Sequence, residues 1–280
     1  MSKGIVVLAQ NGETDYVMQA CLLAMSLQTH NKETKISVIT DDDVPLNYQK
    51  FFDNIIPIPF GDAAEESEWK VENRWKIYHA IPYDETVVLD TDMLVLQDLN
   101  SWFDFLRNYD LFYTSKVYTY RGEVVDKTFY RKAFAAYALP NLYSGVHYFK
   151  KSDLAHEFYT WLEMITNNWQ LFYKQYAGGK TFQKVCSMDL SAAIAAKIMN
   201  IENKITNPNV MYPSFTHMKP KIQNWNQNFQ ERWQDRVGVY LDEDLQLKIG
   251  NYKQNGVFHY TEKDFVSNHI ISIYENYLGL

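Results

Sequence analysis

The sequence lacks the features that mark disulfide-stapled, secreted and membrane-spanning proteins. It contains two cysteines in 280 residues, Cys21 and Cys186, and neither stands at metal-ligand spacing. A disulfide framework is therefore not expected, and a reducing compartment is favoured. No apolar run approaches the roughly 20 residues of a membrane span, and the first residues lack a signal-peptide pattern. These absences predict a cytoplasmic protein with no membrane span.

Positive charge is also scarce. The chain has 27 Lys and Arg against 34 Asp and Glu, so its formal net charge is −7. This balance argues against a broad basic face, and no extended nucleic-acid surface is expected. We find no internal repeat, low-complexity tract or Pro-, Gly- or Ser-rich linker. The sequence therefore predicts one domain over residues 1–280.

Short apolar runs alternate with helical patterns from the start of the chain. Residues 4–10 and 35–40 are apolar and β-branched, as in buried strands, and residues 54–59 resemble a third strand. Between the first two runs, residues 16–29 place apolar side chains at helical spacing. Alternation of strands and helices predicts an α/β chain with a mostly parallel central sheet, flanked by helices and joined by right-handed crossovers.

The same periodicities predict the remaining elements. Three late strand candidates, with turn residues between them, indicate a small antiparallel C-terminal portion. The helix candidates are residues 72–81, 153–176, 187–199 and 265–277. The strand candidates are residues 86–96, 111–115, 146–149, 237–241, 245–249 and 257–260.

The pattern D-x-D, in which one residue separates two aspartates, occurs three times, at residues 41–43, 90–92 and 242–244. The first precedes a proline and the third separates two strand candidates, so both are predicted to be turns. The pattern at residues 90–92 differs because apolar runs flank it directly on both sides. Asp90 and Asp92 therefore stand at the carboxyl end of a buried strand, which is the edge where open α/β sheets bind ligands.

Two carboxylates at positions i and i+2 of a strand end can face one hard cation. Oxygen ligands suit Mg²⁺ or Mn²⁺, and either ion keeps positions open for diphosphate oxygens. The alternative is a tight turn in which Asp90 and Asp92 accept hydrogen bonds from backbone amides.

Residues 87–96, V-V-L-D-T-D-M-L-V-L, preceded by a helix and Tyr83, resemble the D-x-D segment of nucleotide-sugar-dependent glycosyltransferases of GT-A fold. The resemblance is closest to glycosyltransferase family 8, which includes glycogenin and galactosyltransferases. Further segments agree with that family in order: L-A-Q-N at 8–11 with Tyr16, A-M-S-L-Q at 24–28, Asn73-Arg74, L-Y-S-G-V at 142–146 and V-F-H-Y at 257–260.

Three positions depart from the family pattern. Asp189-Leu190 stands where the family usually has D-Q, and residues 261–264 do not continue its late motif after the histidine. The N-S-G motif is also interrupted, because two residues separate Asn141 from Ser144-Gly145.

The resemblance implies a metal site. Asp90 is expected to bind the metal or the sugar nucleotide, Asp92 the metal directly, and His259 the metal as third ligand. His217 competes for that role, because it also ends an apolar stretch. Mn²⁺ or Mg²⁺ is the expected cofactor.

The resemblance also implies a donor site. Arg74 is expected at the diphosphate or ribose, since its guanidinium can donate two parallel hydrogen bonds, with Lys76 as the alternative. The candidate donor-binding residues are Ala9, Gln10, Asn11, Tyr16, Arg74, Asp90, Thr91, Ser144, Gly145 and Lys263.

Arg74 and Asp189 are the candidate catalytic residues. Asp189 opens an Ala-rich helix, so it is interpreted either as a helix N-cap or as a group near the donor sugar. Residues 117–140 are the candidate acceptor-side segment. Its candidate contacts are Tyr118, Tyr120, Arg121, Lys127, Arg131 and Lys132.

The resemblance thus implies a GT-A, Rossmann-like hexosyltransferase, acting with retention on a UDP-sugar and a glycan, protein or small-molecule acceptor. Residues 1–100 form its nucleotide-binding half, and residues 101–280 its acceptor and metal-completing half. The alternative is an inactive relative that binds sugar nucleotides or glycans. A nucleotidyltransferase is disfavoured, because residues 8–13 hold one Gly and no Lys or Arg for a phosphate loop.

Overall fold

The computed structural model describes residues 1–64, 67, 70–125, 131–178, 183–210, 213–225 and 232–280. The strands are β1 (Lys3–Leu8), β2 (Ile36–Ile39), β3 (Asn54–Ile56), β4 (Glu85–Leu89), β5 (Met93–Val95), β6 (Leu111–Thr114), β7 (Tyr143–Lys150), β8 (Phe215–His217), β9 (Val239–Leu241), β10 (Leu247–Ile249), β11 (Tyr252–Lys253) and β12 (Val257–His259). The α-helices are α1 (Tyr16–His30), α2 (Leu46–Gln49), α3 (Ile77–Ala80), α4 (Asn100–Leu106), α5 (Lys132–Ala136), α6 (Asp153–Asn167), α7 (Trp169–Ala177), α8 (Met188–Met199) and α9 (Asn268–Leu278). Short 3₁₀ turns span Val71–Lys76, Pro220–Ile222, Trp233–Asp235 and Lys263–Phe265.

A six-stranded sheet forms the centre, in the order β3-β2-β1-β4-β7-β6. Strands β3, β2, β1 and β4 pair in parallel, whereas β7 runs antiparallel to β4 and β6. Alternate residues of β1 point to opposite faces, so Ile5 and Val7 join the core beneath α1 and α9, and Val6 joins the core beneath α6 and α8. The predicted α/β class and mostly parallel sheet flanked by helices are confirmed.

Two small sheets complete the fold. Strands β9, β10 and β11 form an antiparallel meander, with residues 242–244 in the predicted hairpin turn between β9 and β10. The other sheet has the order β5-β12-β8, in which β12 is antiparallel to β5 and parallel to β8. The predicted antiparallel C-terminal portion is therefore confirmed, and strand β5 ties it to the D-x-D segment.

Two helix predictions need correction. Residues 72–81 are not one helix, because Lys70 adopts a left-handed backbone and a tight 3₁₀ turn follows before α3. Residues 153–176 are divided at Asn168, whose backbone leaves helical geometry and whose side-chain amide donates to the Met164 carbonyl. An Asn side chain that bonds the backbone competes with the helix in this way.

None of the helices in the described ranges combines the length and apolar character needed to cross a membrane. The assignment of residues 1–280 to one domain, with halves at 1–100 and 101–280, stays a prediction.

Candidate metal centre and donor pocket

A cavity of about 520 Å³ lies where β1 and β4 end and β5 begins. Its volume is in the range of small-ligand sites. Most predicted site residues lie along its wall. They are Gln10, Tyr16, Arg74, Asp90, Thr91, Asp92, Ser144, Gly145, Asp189, His259 and Lys263.

The chain crosses between two sheets at the D-x-D segment. Strand β4 belongs to the central sheet and β5 to the β5-β12-β8 sheet, so Asp90 and Asp92 occupy the link. The register of β5 and β12 sets Met93 opposite His259. The backbone of Asp92 also accepts a hydrogen bond from the Tyr260 amide, 3.2 Å away. The pairing of these strands therefore delivers His259 to the D-x-D segment.

Asp90, Asp92 and His259 each place one potential ligand atom within 4.8 Å of the other two. His259 Nε2 lies 2.9 Å from Asp92 Oδ2. This is a hydrogen-bond distance, so the imidazole and the carboxylate are already in direct contact. Two carboxylates and an imidazole suit Mn²⁺ and are compatible with Mg²⁺. The donor set therefore fits a hard divalent cation.

Lys263 contacts the same oxygen of the Asp92 carboxylate as His259 does. Its ammonium lies 2.6 Å from Asp92 Oδ2 and 5.0 Å from the centre of the Tyr16 ring. Burial alone would raise the pKa of Asp92, but the charges and hydrogen bonds of His259 and Lys263 outweigh it and hold that pKa well below its usual range. Asp92 is thus an ionised carboxylate that already faces positive charge.

His217, the alternative third ligand, lies beside His259 on the neighbouring strand β8. The two rings stack with centroids 4.7 Å apart, because β8 pairs with β12 at these residues. Burial, followed by nearby His259 and Lys219, lowers the pKa of His217 well below its usual value. His217 lines the cavity as a neutral ring and is not one of the three residues whose ligand atoms converge.

Arg74 pairs with the first aspartate of the motif. Its guanidinium donates to Asp90 Oδ1, and only 19% of each side chain is exposed. Burial opposes the charge of Arg74, but the nearby Asp90 and Asp92 carboxylates outweigh it and raise its pKa. Gly145 lies opposite, where a Cβ atom would stand 2.7 Å from Asp90 Oδ2. A residue without a side chain is therefore required beside Asp90.

Three predicted donor-site or alternative residues lie outside the described lining of this cavity. The Lys76 ammonium donates to the Gly61 carbonyl, and its side chain is buried. The side chain of Asn11 accepts from the Val17 amide at the start of α1, at 3.0 Å. Ala9 is fully buried in the core. Lys76 thus holds a loop, whereas Asn11 supports the first helix.

Gln10, at the cavity wall, belongs to a polar network with Asp62 and Asn73. Its amide donates to Asp62 and accepts from Asn73 at 2.7 Å. Asn73 also donates to Asp62, at 2.6 Å. This network connects the end of β1 to the turn that carries Arg74.

The interpretation of Asp189 as a helix cap is wrong. Ser187 is the N-cap residue of α8, and Asp189 lies in the first turn. Its Oδ1 accepts from the backbone amide and hydroxyl of Ser144, at 2.8 and 2.7 Å, and its Oδ2 accepts from Arg131 at 2.6 Å. A carboxylate that bonds its own helix would leave these donors unpaired. Asp189 therefore connects α8 to β7 at the cavity wall.

The acceptor-side segment contributes one of its candidates to the described cavity wall, Arg131. Tyr118, Tyr120, Arg121 and Lys132 lie outside that lining. Lys127 lies outside the described residues.

The described wall also contains residues that the sequence analysis did not select, among them Lys70, Lys219 and Thr261. Lys70 and Thr261 both have positive φ, 51° and 62°. Such backbone strain clusters at functional sites but leaves no signal in a single sequence, because neither residue is a typical left-handed type. Among the described wall residues, five are Lys or Arg and three are Asp. The cavity is thus positively charged in a chain of net charge −7.

No protein-family profile and no curated protein sequence matches this chain. The structure is similar to the galactosyltransferase LgtC solved with donor and acceptor sugar analogs, at 14% identity and TM-score 0.52, over 99% of this chain and 96% of LgtC. An active-site mutant of LgtC aligns at 15% identity and TM-score 0.53, over 99% and 95% of the chains. The glycosyltransferase GlyE of Streptococcus pneumoniae TIGR4 aligns at 20% identity and TM-score 0.43, over 74% of this chain but only 45% of GlyE.

At these identities the likeness is one of fold. The alignment with LgtC covers nearly the whole of both chains, and it includes the central sheet, the D-x-D link and the C-terminal sheets. The expected resemblance to GT-A glycosyltransferases is thus confirmed at the level of the fold.

Proposed function

We propose that this protein is a metal-dependent glycosyltransferase that moves a hexose from a nucleotide diphosphate sugar to an acceptor hydroxyl. The observation that carries the proposal is the convergence of Asp90, Asp92 and His259 in a positively charged cavity at the carboxyl edge of the sheet. The GT-A fold supports it, because glycosyltransferases are among the chains with this fold. UDP is the proposed nucleotide, and retention is the proposed stereochemical outcome, both from the resemblance to family 8.

Asp90, Asp92 and His259 would hold the cation, which supplies electrostatic stabilisation of the diphosphate as charge builds on the departing nucleotide. Lys263 is placed to serve the same charge, because its ammonium already lies beside Asp92 and Tyr16. Arg74 orients Asp90 through their ion pair. The acceleration on this proposal comes from positioning and from fixed charge.

The proposal is tested by a screen of UDP- and GDP-sugars for hydrolysis and transfer, with Mn²⁺ and with EDTA. We expect turnover of a UDP-sugar with Mn²⁺, its loss in EDTA, and its return when Mn²⁺ is restored. Asp92→Asn should lower turnover by at least about a hundredfold, since it removes an ionised metal ligand. Asp244→Asn, the same change in the exposed 242–244 turn, is the control and should leave turnover unchanged.

Thermal unfolding tests the choice of nucleotide. UDP with Mn²⁺ should stabilise the protein by about 2.7 kcal/mol at a hundredfold excess over its Kd, by mass action. GDP should stabilise it less. Binding without turnover in every donor and acceptor mixture would support the inactive relative, and full activity of Asp92→Asn would disprove the metal site. The anomer of the product, read by NMR, decides retention.

A further inference from the structure

Arg131 is buried between two aromatic rings beside the donor pocket. Its guanidinium carbon lies 4.1 Å from the centre of the Phe134 ring and 4.0 Å from that of Tyr143, and its side chain is 4% exposed. Nε donates to Asn141 at 2.6 Å, Nη1 to Asp189 at 2.6 Å, and Nη2 to the Leu142 carbonyl. One guanidinium thus joins the acceptor-side segment, the start of β7 and the start of α8.

Among the residues that the structure describes, the Asp189 carboxylate accepts three hydrogen bonds and has one lone-pair site left. An ionised carboxylate has about four lone-pair sites. Ser144 takes two of them on Oδ1, and Arg131 takes one on Oδ2. Asp189 lines the cavity with 24% of its side chain exposed, so the remaining site on Oδ2 is where a ligand can donate.

The same contacts extend to the metal centre. Ser144, which donates twice to Asp189, precedes Gly145, whose carbonyl accepts from the Asp90 amide at 3.0 Å. The Asp90 carboxylate also fills the space beside Gly145 that a Cβ atom would need, at 2.7 Å. Asp189 therefore bonds Ser144, and the next residue of β7, Gly145, bonds the backbone of Asp90. This arrangement places Asp189 beside the expected position of the diphosphate and its sugar.

We propose that Arg131 is a positioning residue for the donor sugar: it fixes the Asp189 carboxylate so that Oδ2 accepts a hydrogen bond from a sugar hydroxyl. This inference rests on the proposed transferase function. The departure from N-S-G fits it, because Asn141 binds Arg131 and the Tyr143 ring covers the guanidinium. Docking of the acceptor-side segment then becomes a condition for correct placement of the sugar.

A purely structural ion pair would affect stability alone, whereas a positioning residue acts through Asp189 on the sugar. The test compares Arg131→Met, Arg131→Lys, Asp189→Asn and the double variant Arg131→Met/Asp189→Asn. Binding of UDP and of UDP-galactose or UDP-glucose, whichever the wild type turns over, is measured by calorimetry with Mn²⁺, and kcat is measured on the same donor.

We expect Arg131→Met to lower kcat by up to about a hundredfold, as loss of orientation does. Its Kd for UDP should stay within about twofold, and its Kd for the UDP-sugar should rise. Arg131→Lys should recover part of the lost kcat, because lysine keeps the positive charge but lacks the planar guanidinium that donates several hydrogen bonds at once. The double variant should be no worse than Asp189→Asn alone, since both changes break one unit.

Lys197→Met is the matched control. Lys197 lies at the far end of α8 and pairs with Glu202 at 3.4 Å with 44% of its side chain exposed, so this change also removes a cation–carboxylate pair. It should leave kcat and both Kd values unchanged. If Arg131→Met is too unstable to purify, the double-mutant cycle is measured with Arg131→Lys, Asp189→Asn and the double variant Arg131→Lys/Asp189→Asn.

Unchanged kcat and UDP-sugar affinity in the Arg131 variants would overturn the inference while leaving the transferase proposal in place. Additive losses in the double variant would overturn it as well, because Arg131 would then act apart from Asp189. If the wild type neither binds nor turns over any nucleotide sugar, the transferase proposal itself fails, and this inference with it.

Discussion

Two carboxylate centres face the same cavity, and they are neutralised in different ways. Asp92 is held by His259 and Lys263, and the Lys263 side chain is 36% exposed. Asp189 is held by Arg131, which is 4% exposed and enclosed between two rings. The Lys263 ammonium can therefore turn toward water, whereas the Arg131 guanidinium cannot.

The difference separates an exchangeable centre from a permanent one. A cation can replace Lys263 at Asp92 without leaving a charge unpaired in the core, because the ammonium can turn to solvent. No such exchange is open to Arg131 at Asp189. We infer that the Asp92 centre is built for a ligand that comes and goes, and the Asp189 centre for fixed geometry.

The largest expected effect is on stability. Asp189→Ala leaves the buried Arg131 guanidinium without this carboxylate, so the free energy of unfolding should fall by about 3–5 kcal/mol. Asp92→Ala, measured in EDTA, should lower it by less, because the Lys263 ammonium can reach water and is not left buried without its carboxylate. Urea unfolding of both variants measures the contrast. Equal losses would mean that the two centres do not differ.

A smaller effect should appear in metal affinity. His259→Phe and His217→Phe both keep a ring in the stacked pair, but only the first removes a nitrogen from the proposed metal site of Asp90, Asp92 and His259. We expect His259→Phe to weaken Mn²⁺ binding at least about tenfold, since even mutations of residues that only hydrogen-bond to a metal ligand lower metal affinity by about that factor. His217→Phe should alter it little. The reverse ranking, seen by calorimetry, would transfer the third-ligand role to His217.

The smallest effect should be in acid. Burial alone would raise the pKa of Asp189, but Arg131 and the Ser144 hydrogen bonds outweigh it and hold that pKa below its usual value. Its contribution to stability is therefore full above the unfolded pKa of about 3.9 and is lost as pH falls through the lower folded value. The gap in stability between wild type and Asp189→Asn should be larger at pH 7 than at pH 3. Addition of Arg131→Met to both proteins should reduce that dependence on pH.

Strands β1, β2 and β4 of the central sheet were predictable because they are buried on both faces and appear as continuous apolar runs. The same signal marked Asp90 and Asp92, since an acidic break between two such runs is conspicuous. Strands β8 and β11, of three and two residues, were not predicted.

Side-chain partners were less predictable than strands. The roles of Lys76 and Asp189 depend on the Gly61 carbonyl and on Ser144, and local spacing carries no information about either. Arg131 was noticed only as one basic residue of a segment. Its burial between Phe134 and Tyr143 depends on how that segment folds back on β7.

The link between β4 and β5 has a consequence for the synthesis of the protein. Lys263 follows Asp92 by 171 residues, so at about 5–20 residues per second a ribosome needs roughly 10–35 seconds to supply the partners of that carboxylate. During this interval β5 lacks its neighbour β12, and the two aspartates have no imidazole beside them. An unfinished chain therefore cannot bring Asp90, Asp92 and His259 together, and translation itself delays the assembly of this group until the C-terminal strand has joined the fold.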